Sequence, residues 1–318
     1  MAETIHMPPY YLYKYSYHED ELSLCQLEMR SLFGFDTASK FLESPLKIDP
    51  NRSPFMKERI DVIYEGTSIE DISRKVDRFQ VEKSTFKVVL IQNDNYKETE
   101  KVEFTERRAI ERKIGLNIKG TVDLQEPDLL FAIVKLKTKW VFGRFTKSKA
   151  VWLQHQQKPK NYSTALSTRV ARAVVNIAVP NTTNMKVIDP CCGIGTVLIE
   201  ALSMGIDIVG SDLNPLVLPG TRENIAYFGF NTEVTLKDIR NVQGNYDVGI
   251  IDMPYNLCSV LDEKEQLEML LAAKKFTKKL VVVTVETIDP IIEKANFKII
   301  DRCVAKKSSF TRQVLVCE

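Results

Sequence analysis

The sequence predicts an α/β protein in two parts: a doubly wound, mostly parallel sheet over residues 181–318 that ends in an antiparallel hairpin, preceded by an α+β region. Three observations carry this. The stretch Val187-Ile188-Asp189-Pro190-Cys191-Cys192-Gly193-Ile194-Gly195-Thr196 reads as a buried strand that breaks into a glycine turn and opens a helix. From there strands and helices alternate at the spacing that right-handed crossovers need. Near the C-terminus, Phe297 to Cys303 and Gln313 to Cys317 are two strands with no helix between them, so they form a hairpin at the sheet's edge.

Taken in order, Tyr10 to about Tyr64 reads as strand, helix and strand. The run Tyr10-Tyr11-Leu12-Tyr13-Lys14-Tyr15 is aromatic and extended, and Glu19 to Phe33 has helical spacing through Leu22, Leu27 and Leu32. The tyrosines are expected to fill the core of a small sheet, the alternative being a platform on which RNA bases stack. Between about Ile69 and Phe145 the pattern mixes. Phe86 to Ile91 is a strand, and Phe104 to Ile114 is a charged amphipathic helix expected to end at Gly115. Strands at Val122-Asp123-Leu124, Leu129 to Lys135 and Trp140 to Phe145 follow. Ser163 is placed as N-cap of a helix from Thr164 to about Val179, which Pro180 stops. The regular alternation then runs strand Lys186–Asp189, helix Thr196–Met204, strand Ile206–Asp212, helix Pro215–Tyr227, strands Glu233–Leu236 and Tyr246–Ile251, helix Glu263–Phe276 and strand Leu280–Thr284. The expected divisions are an N-terminal ferredoxin-like subdomain at 1–65, a second α+β domain at 66–150, a basic linker and helix at 151–180, and the α/β domain at 181–318.

Composition narrows the class. With 318 residues, 44% of them hydrophobic, the chain can build globular cores in two domains, so it is not a disordered protein. The 44 basic and 42 acidic side chains nearly cancel, and net charge by itself calls for no polyanionic partner. Their distribution does: Leu129 to Ile188 contains no Asp or Glu yet carries Lys147, Lys149, Lys158, Lys160, Arg169 and Arg172 among other cations, a surface expected to meet phosphates. The six cysteines show no Cys-x-x-Cys or Cys/His spacing, which proposes neither a zinc site nor a disulfide framework and fits a reducing cytoplasm. Neither a signal-peptide core nor an apolar run of membrane-spanning length is found, so a soluble protein without metal is expected, with a monomer favoured.

Two segments should converge on one crevice. Gly193 and Gly195 let the backbone approach a ligand closely, and the helix opening at Thr196 turns free N–H groups toward the same spot. Asp212 lies about 20 positions beyond the turn, where nucleotide-binding sheets place a carboxylate for ribose hydroxyls. Ile250-Ile251-Asp252-Met253-Pro254-Tyr255-Asn256 ends the fourth strand of the sheet, and strand ends at a switch point face one ligand site. An acid, a proline carbonyl and an aromatic ring in sequence can hold a planar amine: oxygens accept its protons while the ring stacks on the heterocycle.

The pair Asp189-Pro190-Cys191-Cys192-Gly193-Ile194-Gly195-Thr196 and Asp252-Met253-Pro254-Tyr255 resembles the first and fourth motifs of class I S-adenosylmethionine-dependent methyltransferases that act on nucleobase amines. Lys158-Pro159-Lys160-Asn161-Tyr162-Ser163, with Arg169-Val170-Ala171-Arg172-Ala173, resembles the segment before the catalytic domain of THUMP-containing tRNA guanosine-10 N2-methyltransferases. Gly120-Thr121-Val122-Asp123-Leu124 with Glu126-Pro127-Asp128 is similar to the end of a THUMP domain. The resemblance implies a Rossmann-like class I methyltransferase fold of seven strands, S-adenosylmethionine as cofactor and tRNA as partner. It implies that Asp189, Cys191, Gly193, Gly195 and Thr196 cradle the methionine and sugar part of the cofactor, that Asp212 and Leu213 hold the ribose, and that Asp238 and Ile239 hold the adenine. Asp252 would fix the guanine N2 amine in line with the methyl sulfonium, also bordering the cofactor, with Pro254 and Tyr255 completing the acceptor site. Met253 stands where the family usually has a second proline, and Asn256 where it has glycine. The alternatives are methylation of a ribosomal RNA guanine or of an adenine, and an RNA-binding protein that keeps the fold without turnover.

Overall fold

A computed structural model of the protein describes residues 10–93, 102–162, 164–254, 261–307 and 310–318. They divide into two compact units. The first runs to Ser16 and takes in Thr37–Asn51 and Phe55–Lys149; the second holds Tyr17–Asp36, Arg52–Pro54 and Ala150–Glu318.

In the first unit the described strands form one sheet of seven. Strands β1 (Tyr11–Tyr15), β2 (Phe41–Ser44), β3 (Met56–Gly66), β4 (Gln80–Ile91), β5 (Lys119–Val122), β6 (Leu129–Lys135) and β7 (Trp140–Lys147) lie in the order β2-β1-β3-β7-β6-β4-β5. Two of the four tyrosines belong to its core: Tyr13 and Tyr15 are fully buried, while Tyr10 and Tyr11 are half-buried. The sheet crosses the boundary expected at 65/66. β3 pairs antiparallel with both β1 and β7, so residues 1–65 and 66–150 share one sheet and are not separate subdomains. Pairing over some 80 residues of sequence is a long-range choice that local patterning does not encode.

Numbering the helices of the whole chain in order, this unit holds the second and third, α2 (Ile69–Val76) and α3 (Phe104–Asn117), packed on one face. There Ile72, Val76, Ile110 and Ile114 close over Phe86, Phe131 and Phe142. α3 runs straight through Gly115, whose backbone stays out of the left-handed region, because Ile114 and Ile118 on either side are both anchored in this core. The strand that follows is accordingly Lys119–Val122 rather than the segment centred on Asp123.

The second unit holds the doubly wound sheet. Strands β8 (Lys186–Asp189), β9 (Asp207–Asp212), β10 (Val234–Leu236), β11 (Tyr246–Asp252), β12 (Thr277–Thr284), β13 (Ile299–Lys307) and β14 (Phe310–Cys317) lie in the order β10-β9-β8-β11-β12-β14-β13. The five strands from β10 to β12 in that order are parallel, and β14 is antiparallel to both its neighbours, so the terminal hairpin is the antiparallel edge that the sequence predicts. Chain order reverses between β8 and β11, which puts the switch point, and the open crevice above it, between the ends of these two strands.

Helices α4 (Thr168–Ala178) and α5 (Thr196–Ser203) cover one face, and α6 (Leu218–Tyr227) follows β9. On the opposite face α7 (Glu263–Phe276) and α8 (Asp289–Lys294) bury Met269, Leu270, Phe276, Ile291 and Ile292 against Ile251, Leu280 and Val282. α8 is absent from the sequence reading, because six residues are too few to show a helical period.

α4 begins four residues later than expected. Its N-cap is Ser167, whose hydroxyl accepts from the Val170 N–H, while Ser163 lies outside the described residues. The first helix, α1 (Leu22–Phe33), belongs to this unit and not to an N-terminal subdomain. Fully buried Glu28 accepts from Asn176 of α4 at 2.7 Å and from Ser53, and Arg30 forms a two-pronged bond with Asp301 of β13 at 2.8 and 2.9 Å. An apolar stripe shows that α1 is covered without showing by what, and these polar partners decide it.

Candidate functional site

The glycine turn is built by its own side chains and braced by α6. Asp189 ends β8 and its carboxylate accepts from the Cys191 N–H at 3.2 Å; the Gly195 N–H then donates to the Cys192 carbonyl at 2.8 Å. Gly193 and Gly195 have φ of +49° and +81°, left-handed conformations that cost an L side chain energy. Behind the turn, Thr221 donates to the Gly193 carbonyl and Asn224 to the Ile194 carbonyl at 3.0 Å. Both side chains are fully buried, so the loop's backbone is fixed from the protein side and open on the other.

Asp212, closing β9, meets the loop head on. Its carboxylate accepts from the Gly193 N–H at 2.8 Å and from the Asn214 N–H at 2.8 Å. Above the strand ends lies a cavity of about 420 Å³ bordered by Asp189, Cys191, Gly193, Thr196, Asp212, Leu213, Asp238, Ile239, Asp252 and Pro254, all named from sequence. Gly195 does not border it: a Cβ there would come 2.9 Å from Thr221 Cγ2, so this glycine serves the packing of the turn against α6. Tyr255 and Asn256 lie outside the described residues.

Five carboxyls, of Asp189, Asp212, Asp238, Asp252 and Glu265, border this crevice. Burial, together with the charges of Asp212 and Asp252, pushes Asp189 well above the usual carboxylate range. Burial also raises Asp252 to about 7, with the positive charge of Arg312 pulling the other way. The Asp252 Oδ1 is shut from solvent and has no hydrogen-bond partner among the described residues; the same holds for the Thr196 hydroxyl at the start of α5. Asp238 differs. Arg240 grips both its oxygens at 2.6 to 3.1 Å and holds its carboxyl below the ordinary value, while also reaching Glu268 at 2.9 Å. Unsatisfied buried oxygens on residues that border a cavity, beside the open backbone of the glycine turn, fit a polar ligand.

Part of the wall is missing from the sequence reading. Tyr162, Thr164, Ala165 and Leu166 of the linker border the cavity, as do Leu261, Glu265 and Met269, the last two on α7. The i, i+4 spacing of Glu265 and Met269 is the signal that could have found this helix face. Arg240 is a further addition.

The expected basic surface is only partly a surface. Arg172 is 1% exposed and bonds to Glu200 at 2.7 Å, to Ser203 at 2.9 Å and to the Arg52 carbonyl at 2.9 Å, while His155 approaches the other Glu200 oxygen at 2.7 Å. Lys158 is 8% exposed beside this cluster, and burial lowers its pKa. Arg169 pairs with Glu21 at 2.6 Å and lies over the Trp152 ring. These three therefore join linker to core instead of offering charge to a phosphate, which the sequence cannot show because a buried and an exposed arginine read alike. Lys147 and Lys149 in the first unit and Lys160 in the second are exposed. Among the described residues no helix is long and apolar enough to cross a membrane, and no group of three or more His, Cys, Asp or Glu side chains is placed to hold a metal ion.

Residues 155–289 match the model of the UPF0020 family, described as the RMKL-like methyltransferase domain. The chain is 31% identical over 171 residues to a tRNA (guanine(10)-N2)-dimethyltransferase of Methanothermobacter thermautotrophicus, a match covering 50% of this chain and 51% of that protein. To the protein of the same name from Pyrococcus abyssi it is 28% identical over 111 residues, 34% of this chain and 33% of the other. The matched part of each relative is thus about half its length or less. A crystal structure of TrmN from Thermus thermophilus aligns over 97% of this chain and 99% of its own, at 17% identity and a TM-score of 0.49. The glycine turn, Asp212 and the Asp252 strand end all fall inside the segment that matches the RMKL-like methyltransferase domain model.

Proposed function

We propose that the protein transfers a methyl group from S-adenosylmethionine to the exocyclic N2 amine of a guanosine in tRNA, position 10 being the favoured site. The observation that carries this is the Asp252 carboxylate: its Oδ1 is buried without a partner among the described residues, and it borders the same cavity as the glycine turn. The names of the curated relatives support the acceptor, and the methyltransferase domain supports the donor. Bound there, S-adenosylmethionine supplies a methyl group already activated on a sulfonium, so the residues need chiefly to position and orient. Asp189, Cys191, Gly193 and Thr196 would hold the methionine and sugar end, Asp212 and Leu213 the ribose, and Asp238 with Ile239 the adenine. Because Arg240 already occupies both oxygens of Asp238, an adenine amine would share that carboxylate with Arg240.

Asp252 has the acceptor task. Its carboxylate would accept an N–H of the guanine amine, aim the nitrogen at the methyl group, and take up the proton that the amine releases when the methyl leaves the sulfonium, which departs as the neutral thioether. Tyr255 and the Pro254 carbonyl would complete this site. The first unit, read as the THUMP-type region, would bind tRNA together with Lys147, Lys149 and Lys160, and the target base would enter after leaving its stack. This chemistry belongs in the cytoplasm, where tRNA is found.

Incubation with isotopically labelled S-adenosylmethionine and unmodified tRNA, followed by nucleoside mass spectrometry, tests the reading. Labelled N2-methylguanosine is expected, abolished by Asp252→Ala with cofactor affinity kept. Label in adenosine, or only in ribosomal RNA, would overturn the acceptor; cofactor binding with no transfer to any RNA would overturn the enzyme.

A further inference from the structure

Arg312 has no place in the site as the sequence describes it, yet the sheet carries it there. On β14 it follows the register Val283↔Val314 and Thr284↔Gln313, and Val283 of β12 is in turn the partner of Asp252. Arg312 therefore stands at the same end of the sheet as the Asp252 carboxylate, two strands away. Its Nη2 donates to the Thr164 carbonyl at 3.1 Å, and Thr164 borders the cavity together with Asp252.

The other charged groups that border this crevice are Asp189 of β8, Asp212 of β9, Asp238 and Arg240 after β10, and Glu265 of α7, while the linker and α5 add none. All but one are acids, and the exception, Arg240, spends its charge on Asp238 and Glu268. Among the described groups, Arg312 is the cation whose field opposes the burial of Asp252.

We propose that Arg312 is a positioning residue of the acceptor end, supplying the positive charge that faces the Asp252 carboxyl and tethering the Thr164 wall beside it. The functional meaning rests on the methyl-transfer reading. An ionised Asp252 can accept an amine N–H and take up its proton, whereas a neutral carboxyl offers an O–H donor in its place. An opposite charge favours the ionised form, so removing Arg312 moves the titration of Asp252 upward, and methyl transfer then starts at higher pH.

The test reads the carboxyl directly, without RNA or cofactor, so it succeeds or fails independently of the methyl-transfer reading. Full-length protein labelled with carboxyl-13C aspartate is titrated by NMR, the Asp252 resonance being assigned by its loss in Asp252→Asn. Wild type is expected to titrate near 7. Arg312→Met and Arg312→Gln are expected to raise that midpoint by about one pH unit, a tenfold change in proton affinity. Glutamine can still donate to the Thr164 carbonyl, so it separates charge from tether and decides alone if the methionine variant does not fold. Arg312→Lys is expected to restore the wild-type midpoint. Neutral variants that titrate like wild type, or a lysine variant that titrates like methionine, would overturn the proposal.

Discussion

Gly193 and Gly195 sit two residues apart in one turn, and replacing each by alanine should give opposite phenotypes. Both have left-handed φ, so each substitution costs about 1–2 kcal/mol of backbone strain. At 195 a second cost follows. The new Cβ would meet Thr221 Cγ2 at 2.9 Å, and Thr221 cannot turn aside because its hydroxyl is bonded to the Gly193 and Val217 carbonyls. Overpacking of this kind adds about 1–3 kcal/mol, so Gly195→Ala should lose roughly 2–5 kcal/mol of stability in urea unfolding. A Cβ at 193 meets no protein atom within 4 Å, and Gly193 borders the cavity. Gly193→Ala should therefore lose only the backbone term, while its methyl occupies ligand space and weakens S-adenosylmethionine binding by roughly 10-fold or more, equivalent to about 1.4 kcal/mol. Urea unfolding and isothermal titration calorimetry on both variants read the two effects. A Gly193→Ala protein that binds cofactor like wild type, or a Gly195→Ala protein no less stable than Gly193→Ala, would refute the assignment of one glycine to the ligand and the other to the fold.

Three further outcomes are expected. The folded pKa of Asp252 lies above its unfolded value, so the native state holds the extra proton and stability falls as pH rises from about 4 toward 7; Asp252→Asn should thus be more stable than wild type at pH 8, by up to about 4 kcal/mol, with the gain vanishing near pH 4 in thermal or urea unfolding. Arg172→Met leaves Glu200 buried beside His155 without its main counter-charge and should cost about 3–5 kcal/mol in urea unfolding, while the salt dependence of tRNA affinity stays unchanged. Joint replacement of Lys147, Lys149 and Lys160 by glutamine should flatten the slope of log affinity for tRNA against log salt by about 2–3, measured by filter binding; an unchanged slope would remove these lysines from the RNA interface.

Local chemistry explains why some elements were readable and others not. The glycine turn, the Asp212 strand end and the Asp252 strand end are each specified within a few residues, because left-handed glycines, a strand's apolar run and a terminal acid are short-range signals. The cavity joins them as expected, and the antiparallel hairpin is likewise legible in the missing helix. The linker misled for a physical reason: lysine and arginine carry the same charge whether they face solvent or a buried Glu200. Helix α1 misled for another, since its allegiance depends on Asn176 and Asp301, about 150 and 270 residues further along.

The sequence by itself therefore determined the parallel sheet, its alternation of strands and helices as far as β12, and the identity of the residues that end β8, β9 and β11, because all of these follow from periodicity and turn chemistry along the chain. Only the tertiary structure decided which charges remain free. It buried Arg172 and Lys158, engaged Asp238 with Arg240, left the Asp252 Oδ1 without a partner among the described residues and set Arg312 at the same end of the sheet two strands away. Desolvation and pairing act between groups far apart in sequence, and they have no counterpart until the chain has folded.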